Sequence, residues 1–393
     1  MFFEFLESVE EGKMEIKYFD HSATTPVDKK VLEAMMPYFC EEYGNPSSIY
    51  SIGKSNKEVV DIYRMKVANL LGCKVNEIYF TSCGSESDNL ILKGIALANK
   101  GRGNHIITTK IEHPAILNTC KFLELFGFRI SYLSPNTKGI IEASELEKNI
   151  TNKTILISVM FANNEIGTVQ PIKEIGEIAR KYGIYFHTDA VQAVGTFDID
   201  VKKYNIDALS LSAHKFYGPK GVGAAYINEN IPFIRIQDGG HQERDKRAGT
   251  ENVSGIVGMG SALELANKNL EQNNRHIKFL RDYFVSEIKQ KVPYIKINGD
   301  MEKRMPGNAN ISFSGIDGSK LLAELDKKGI CVSSGSACSA GLLNPSHVLL
   351  SIGLSNNLAR SALRVTFGKN NTLEETKFLI ENLIEIVDRL RYN

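Results

Sequence analysis

Short runs of β-branched and aromatic residues alternate with longer stretches of helical periodicity through the first two thirds of the chain. That alternation is the mark of a parallel sheet with crossover helices. It predicts strands over residues 77–82 (EIYFTS), 105–109 (HIITT), 155–160 (ILISVM), 184–189 (IYFHTD) and 208–212 (ALSLS). Helices are predicted over 86–99, 114–126, 171–182 and, as a short one, 191–195. From about Ser254 the pattern becomes one long helical stretch, GIVGMGSALELANKNLEQNNRHIKFLRDYFVSEIKQ. Short strands IKIN, ANISFS, ICVSS and ALRVTF follow, with helices over 319–328 and 372–390. The expected architecture is α/β: an N-terminal segment over 1–17, a large domain over 18–254 with a mainly parallel sheet, and a smaller α+β domain over 255–393. No repeat or low-complexity linker intervenes, so the two domains should pack closely with the site between them.

Composition narrows the picture only a little. A chain of 393 residues suits one large domain and one smaller one. With 42% apolar and 24% charged residues, it has neither a disordered nor a membrane composition, and no apolar run reaches spanning length. The 47 basic side chains balance 46 acidic ones, so no excess charge recommends nucleic acid or an anionic membrane as a direct partner. The opening MFFEFLESVEEGK is broken by Glu4, Glu7, Glu10 and Glu11, wrong for a secretory or transit signal, and points to a cytoplasmic protein. The core pattern begins after Met14, so the first thirteen residues read as an extension without a part in the chemistry. The six cysteines show no CxxC or Cys/His spacing, so neither a zinc site nor a disulfide framework is indicated. Each is expected to be a small buried hydrophobe unless its context says otherwise.

Candidate chemistry begins at DALSLSAHKFYGPKGVG, a strand that ends near Lys215 and runs into a glycine- and proline-rich turn. The strand IYFHTD ends at Asp189, 26 residues earlier, so both side chains can face one crevice at the strand ends. A lysine that forms a Schiff base and a carboxylate that keeps a pyridine nitrogen protonated are what pyridoxal phosphate needs. A surface lysine and a capping aspartate would look the same in isolation. In FTSCGSESDN, small residues after a strand open a helix and leave backbone N–H groups and a hydroxyl where a phosphate can sit, although a plain helix cap has this form too. Cys338 lies in SSGSACSAGLLNPS, a run of small residues that predicts a mobile, exposed loop, in which a thiol can become a usable thiolate. Cys331, on a predicted strand, reads as core.

Taken in order, YFDHSATTPVD, GNPSS, TSCGSESDN, EHPA, NNEIGTVQPI, HTDAVQ, SAHKFYGPKG, RAGTEN, SSGSACSAG and LRVTFG resemble the cysteine desulfurases of the NifS/IscS type. These belong to the class-V aminotransferase superfamily of fold-type-I pyridoxal-phosphate enzymes. The resemblance runs over about residues 18 to 370. It implies a seven-stranded sheet, pyridoxal 5'-phosphate as cofactor and L-cysteine as substrate, with alanine released and a persulfide left on Cys338. Lys215 is implied to hold the cofactor, Asp189 to pair with the ring nitrogen and His113 to stack on the ring and assist proton transfer. Gln192 and Asn164 match positions facing the phenolic oxygen and the substrate carboxylate side. Gly84, Ser85, Ser212 and His214 match phosphate contacts, and Thr250 matches one supplied across a homodimer interface. Arg364 matches the residue that clamps the substrate carboxylate; a solvated strand-end arginine is the alternative for the residue alone. The SSGSAC form implies delivery of sulfur to an acceptor protein, such as an iron-sulfur scaffold or a tRNA-thiolation protein. The nearest rival reading is a selenocysteine lyase or another class-V lyase without persulfide delivery. Departures from the usual pattern are His21-Ser22 for Asn-Ala, Cys83-Gly84-Ser85 for Gly-Ala-Thr, Tyr50 for histidine and His241 for glycine.

Overall fold

The computed structural model describes residues 15–334 and 345–392. Among the described residues there are twelve strands: β1 Lys17–Tyr18, β2 Ile78–Thr81, β3 His105–Thr109, β4 Arg129–Leu133, β5 Thr154–Ser158, β6 Tyr185–Asp189, β7 Ala208–Ser212, β8 Gly223–Ile227, β9 Ile295–Ile297, β10 Asn308–Phe313, β11 Ile330–Cys331 and β12 Ala362–Thr366. The large sheet has seven of them in the order β2-β8-β7-β6-β5-β3-β4. β8 is antiparallel to both neighbours, and the remaining pairs are parallel. β3, β5, β7 and β8 are buried along their whole length, as strands covered on both faces by helices must be.

Two of the seven strands escape the hydrophobic pattern for physical reasons. β4 (RISYL) is an edge strand with only Leu133 buried, and β8 (GAAYI) is built from small residues of low strand preference. The helix expected over 191–195 does not form. Asp189 accepts the Val191 N–H at 3.0 Å and Gly195 takes φ 81°, so the segment closes as turns. The long helical stretch after Ser254 is two helices, Val253–Lys268 and Leu270–Lys291, parted at Asn269, whose side chain turns back onto the Leu265 carbonyl. The first packs along the helix Ser51–Leu71. Gly260 permits the contact, since a Cβ there would lie 2.5 Å from the Tyr63 ring.

β9, β10 and β12 form a three-stranded antiparallel sheet in the order β12-β10-β9, backed by Leu270–Lys291 and Leu373–Tyr392. ICVSS was expected as a strand of this domain: Ile330–Cys331 pairs in parallel with β1, and Ser333 then bridges antiparallel to Arg364 on β12, so the segment meets the sheet at one residue. Ile256, Met259, Ala262 and Leu263 belong to the core under the large sheet. Phe19, from near the start of the chain, lies in the other core with Phe284, Phe313 and Phe367. No helix among the described residues is long and apolar enough to cross a membrane.

Candidate active site

The C-terminal ends of the parallel strands open on one crevice. β2 passes through Cys83 into the helix Gly84–Ala98, β3 leads to His113, β5 to Asn164, β6 ends at Asp189, and β7 runs through the turn Ala213–Lys215 to Lys215. They enclose a cavity of about 210 Å³ whose lining includes Gly84, Ser85, His113, Asn164, Asp189, Gln192, Ser212, His214, Lys215 and Arg364. Of the residues singled out from sequence, Thr250 stands apart, exposed and outside this cavity. Cys338 lies outside the described residues.

One end of the cavity is shaped for an anion. Cys83 caps the helix Gly84–Ala98 without a side-chain hydrogen bond, leaving the first N–H groups to a ligand. A Cβ on Gly84 would lie 2.6 Å from Val191 Cγ2, so in this chain glycine makes room for the Val191 side chain beside the cradle. The Ser212 hydroxyl is buried and has no hydrogen-bond partner. A buried hydroxyl is costly to leave unpaired, and a phosphate oxygen would satisfy it. His214 bonds Thr24 Oγ1 at 3.1 Å through Nδ1. Burial, then the charges of Lys215 and Lys220, hold its pKa down at about 4, so it is a neutral contact.

At the opposite end sits Asp189, 6% exposed. Burial raises its pKa, while His113, the Val191 N–H and Lys215 favour the carboxylate. Asp88, from the phosphate-end helix, lines the same cavity. Its pKa is raised well above the ordinary carboxylate range by burial first and then by Asp189. Burial and the neighbouring Asp189 charge push Asp88 towards its neutral form, while the Val191 N–H and the Lys215 charge favour the carboxylate at Asp189. Beneath them His187 bonds Ser158 Oγ at 2.9 Å and Ser210 Oγ at 3.1 Å, and burial lowers its pKa to about 3. A polar seam therefore runs down inside the sheet below the carboxylate.

Lys215 Nζ donates to the carbonyls of Ser22 (2.6 Å) and Ala23 (2.8 Å), and Gln192 Nε2 also donates to Ser22 O at 3.1 Å. Those contacts go to backbone, so the serine at position 22 leaves them intact. His21 lies away from this cavity. It lines a neighbouring one of about 90 Å³ and packs edge-on to Tyr18 at 5.0 Å. Tyr50 and His241 are exposed and do not line this chain's cavity. Cys83 does line it. His113 caps the helix Pro114–Leu125 and accepts the Ala115 N–H at Nδ1, 3.1 Å, which leaves the Nε2–H of the neutral ring for the cavity side. Of the remaining described cysteines only Cys120 is buried: Cys40 is exposed, and Cys73, Cys83 and Cys331 are half-buried. The general expectation of buried cysteines fails because four of the five lie near turns or element ends.

Four residues that hold the site in shape were not singled out from sequence: Asp20, Asp88, Glu112 and His187. Asp88 lies one helical turn beyond Gly84, a spacing that could have flagged it. Glu112, in EHPA, is 1% exposed; it accepts the Met160 N–H at 3.0 Å and the Thr109 hydroxyl at 2.7 Å. Burial raises its pKa from 4.5 to about 8, against the pull of those two donors. Because the folded value exceeds the unfolded one, Glu112 contributes stability that is complete below pH 4.5 and is lost as pH rises through about 8. The loss is on the order of 4 kcal/mol over that window. Thermal melting at pH 6 and pH 8 should show a fall for the wild type that Glu112→Gln, uncharged throughout, largely lacks. Parallel falls in both proteins would assign the effect elsewhere.

A lysine at a strand end, a buried carboxylate on the next strand and an open helix N-terminus with an unpaired hydroxyl define a fold-type-I pyridoxal-phosphate enzyme. The residues fit the cofactor at both of its polar ends. The aminotransferase class-V family model matches residues 17–379. The chain is 53% identical over 376 residues to the cysteine desulfurase IscS of Clostridium botulinum (strain Hall), covering 95% of each chain. Among solved structures it resembles a NifS-like protein, with TM-score 0.90 and 39% identity, over 95% of this chain and all of that one. It also resembles SspA in complex with cysteine, with TM-score 0.80 and 38% identity, over 91% of this chain and 100% of that one. The chain belongs to the class-V aminotransferase family and, within it, to the cysteine desulfurases of the NifS/IscS type.

Proposed function

We propose that this cavity removes sulfur from L-cysteine, releasing L-alanine and leaving the sulfur as a persulfide on Cys338. The observation that carries the reading is the joint placement of Lys215, Asp189 and the open phosphate cradle in one cavity that also holds Arg364. Gly84, Ser85, Ser212 and His214 would hold the phosphate of pyridoxal 5'-phosphate, Asp189 its ring nitrogen and Lys215 its aldehyde carbon, with His113 against the ring. When bound, the cofactor supplies an electron sink for charge developing at the substrate α-carbon.

The chain's own groups do the rest. Arg364, fully buried, presents its guanidinium to the cavity and takes the substrate carboxylate, fixing which α-carbon bond is activated. Lys215 Nζ moves the α-proton, and His113 Nε2–H lies on the cavity side to assist. The Cys338 thiolate attacks the substrate sulfur; the carbon-sulfur bond breaks, a sulfur-sulfur bond forms, and a proton goes to the β-carbon. Atoms balance as cysteine plus enzyme thiol giving alanine plus enzyme persulfide. Sulfur then passes to an acceptor protein such as an iron-sulfur scaffold.

A homodimer completes the site in this reading. Thr250 is exposed, yet Arg247 in the same segment pairs with Glu86 of the phosphate-end helix at 2.7 Å, which directs the segment along the site's outer wall. Leu32, Met36, Phe39, Tyr43 and Ile49 expose apolar surface that a second copy can cover. The assay is direct: with cysteine and a thiol reductant, alanine and sulfide should appear in equal amounts. Sulfide accompanied by pyruvate and ammonia in place of alanine would overturn the assignment.

A further inference from the structure

Arg364 is already neutralised before any substrate arrives. Its Nη2 donates to Asp20 Oδ1 at 2.6 Å and its Nη1 to the Asn164 carbonyl at 3.1 Å, while Nε is buried without a hydrogen-bond partner. The Arg364 side chain is 1% exposed and that of Asp20 14%. Arg364 lines the cavity, whereas Asp20 is not among its lining residues, so Asp20 meets the guanidinium from outside the substrate's space. Asp20 is itself fixed: it bridges to Thr366 beside Arg364 on β12, and its carbonyl accepts the Tyr18 hydroxyl at 3.0 Å.

We propose that Asp20 is a positioning and specificity-setting residue: a resident countercharge that holds Arg364 in place and limits how tightly it grips a carboxylate. The inference rests on the assignment of Arg364 to the substrate carboxylate. Arginine has five N–H donors, so a carboxylate on the cavity side can share it with Asp20. The substrate then meets an ion pair, not a full positive charge, in a site shielded from water. A bare arginine at zero exposure would hold any carboxylate strongly, product alanine included. Asp20 tunes that grip so that the amino acid is oriented during reaction and released afterwards.

Asp20→Asn separates charge from geometry, because the amide oxygen still accepts from Nη2 while the countercharge is gone. The holoenzyme is titrated with L-alanine, which carries no sulfur and is not desulfurated, and binding is read from the visible absorbance of the cofactor. Asp20→Asn is expected to bind alanine about tenfold more tightly than wild type, since the full charge of Arg364 is now available. Arg364→Gln should weaken alanine binding and abolish the effect of Asp20→Asn in the double variant. A purely structural role for Asp20 can only loosen binding, so tighter binding is the distinguishing result. An unpaired buried charge also destabilises the fold, so the melting temperature is followed as acetate is added. Acetate should raise it more in Asp20→Asn than in wild type, and this holds even for a weakened fold. If Arg364→Gln weakens alanine binding but Asp20→Asn leaves it unchanged or weaker, the role of Asp20 is refuted alone. If Arg364→Gln binds alanine as wild type does, the carboxylate assignment falls first and this inference with it.

Discussion

Lys215→Ala protein is expected to retain its fold, to bind pyridoxal phosphate without a covalent link and to lose turnover of cysteine by at least about 10⁴-fold. Lys215 has two duties that no neighbour can assume. In the proposed reading it anchors the cofactor through carbon, and its amine moves the proton at the substrate α-carbon. His113 cannot substitute, because its Nδ1 is committed to the Ala115 N–H as the cap of the helix Pro114–Leu125. The fold should survive, since the amine's hydrogen bonds to the Ser22 and Ala23 carbonyls are made to loop backbone at the cavity. Borohydride reduction separates the cases: cofactor should become fixed to the wild type at Lys215 and wash out of the variant. Fixation at another lysine would reassign the anchor.

Cys338→Ala should divide binding from sulfur transfer. Among the described residues, those lining the cavity carry the whole proposed cofactor set of this chain except Thr250, so cofactor absorbance and its response to cysteine should remain. Alanine production should fall by roughly 10³-fold or more, the scale on which loss of a covalent nucleophile is felt. Full alanine and sulfide release in this variant would mean that sulfur leaves without an enzyme persulfide, as in a simple lyase. Cys83, the cysteine among the described residues that lines the cavity, caps the phosphate-end helix Gly84–Ala98 and is not expected to take over as nucleophile.

Much of the fold was legible because strands buried on both faces, such as TILIS and ALSLS, leave an unmistakable apolar run between helical stretches. β4 and β8 were not, one being a half-exposed edge and the other a run of glycine and alanine whose place is set by its neighbours. A helix was expected over 191–195 because VQAV has helical composition; the Asp189 carboxylate and Gly195 turn the segment instead. At the site, most of the residues proposed to meet cofactor or substrate stood out as motif members or as polar groups at strand ends. Those that hold them did not. Asp20, Asp88, His187 and Glu112 act through ion pairs and hydrogen bonds to residues far away in sequence, and spacing alone carries no trace of a 2.6 Å contact between residues 20 and 364. Family resemblance supplied Cys338 and Thr250, for which the cavity gives no independent geometry.

Mass spectrometry of the protein after incubation with L-cysteine, without reductant, tests the central claim most directly, since it reads substrate, reaction and nucleophile together. One additional sulfur atom on the peptide containing Cys338, absent from the Lys215→Ala and Cys338→Ala proteins, is the predicted result. Free sulfide and alanine formed while that peptide keeps its original mass, or the added sulfur found on Cys83 or Cys331, would contradict it.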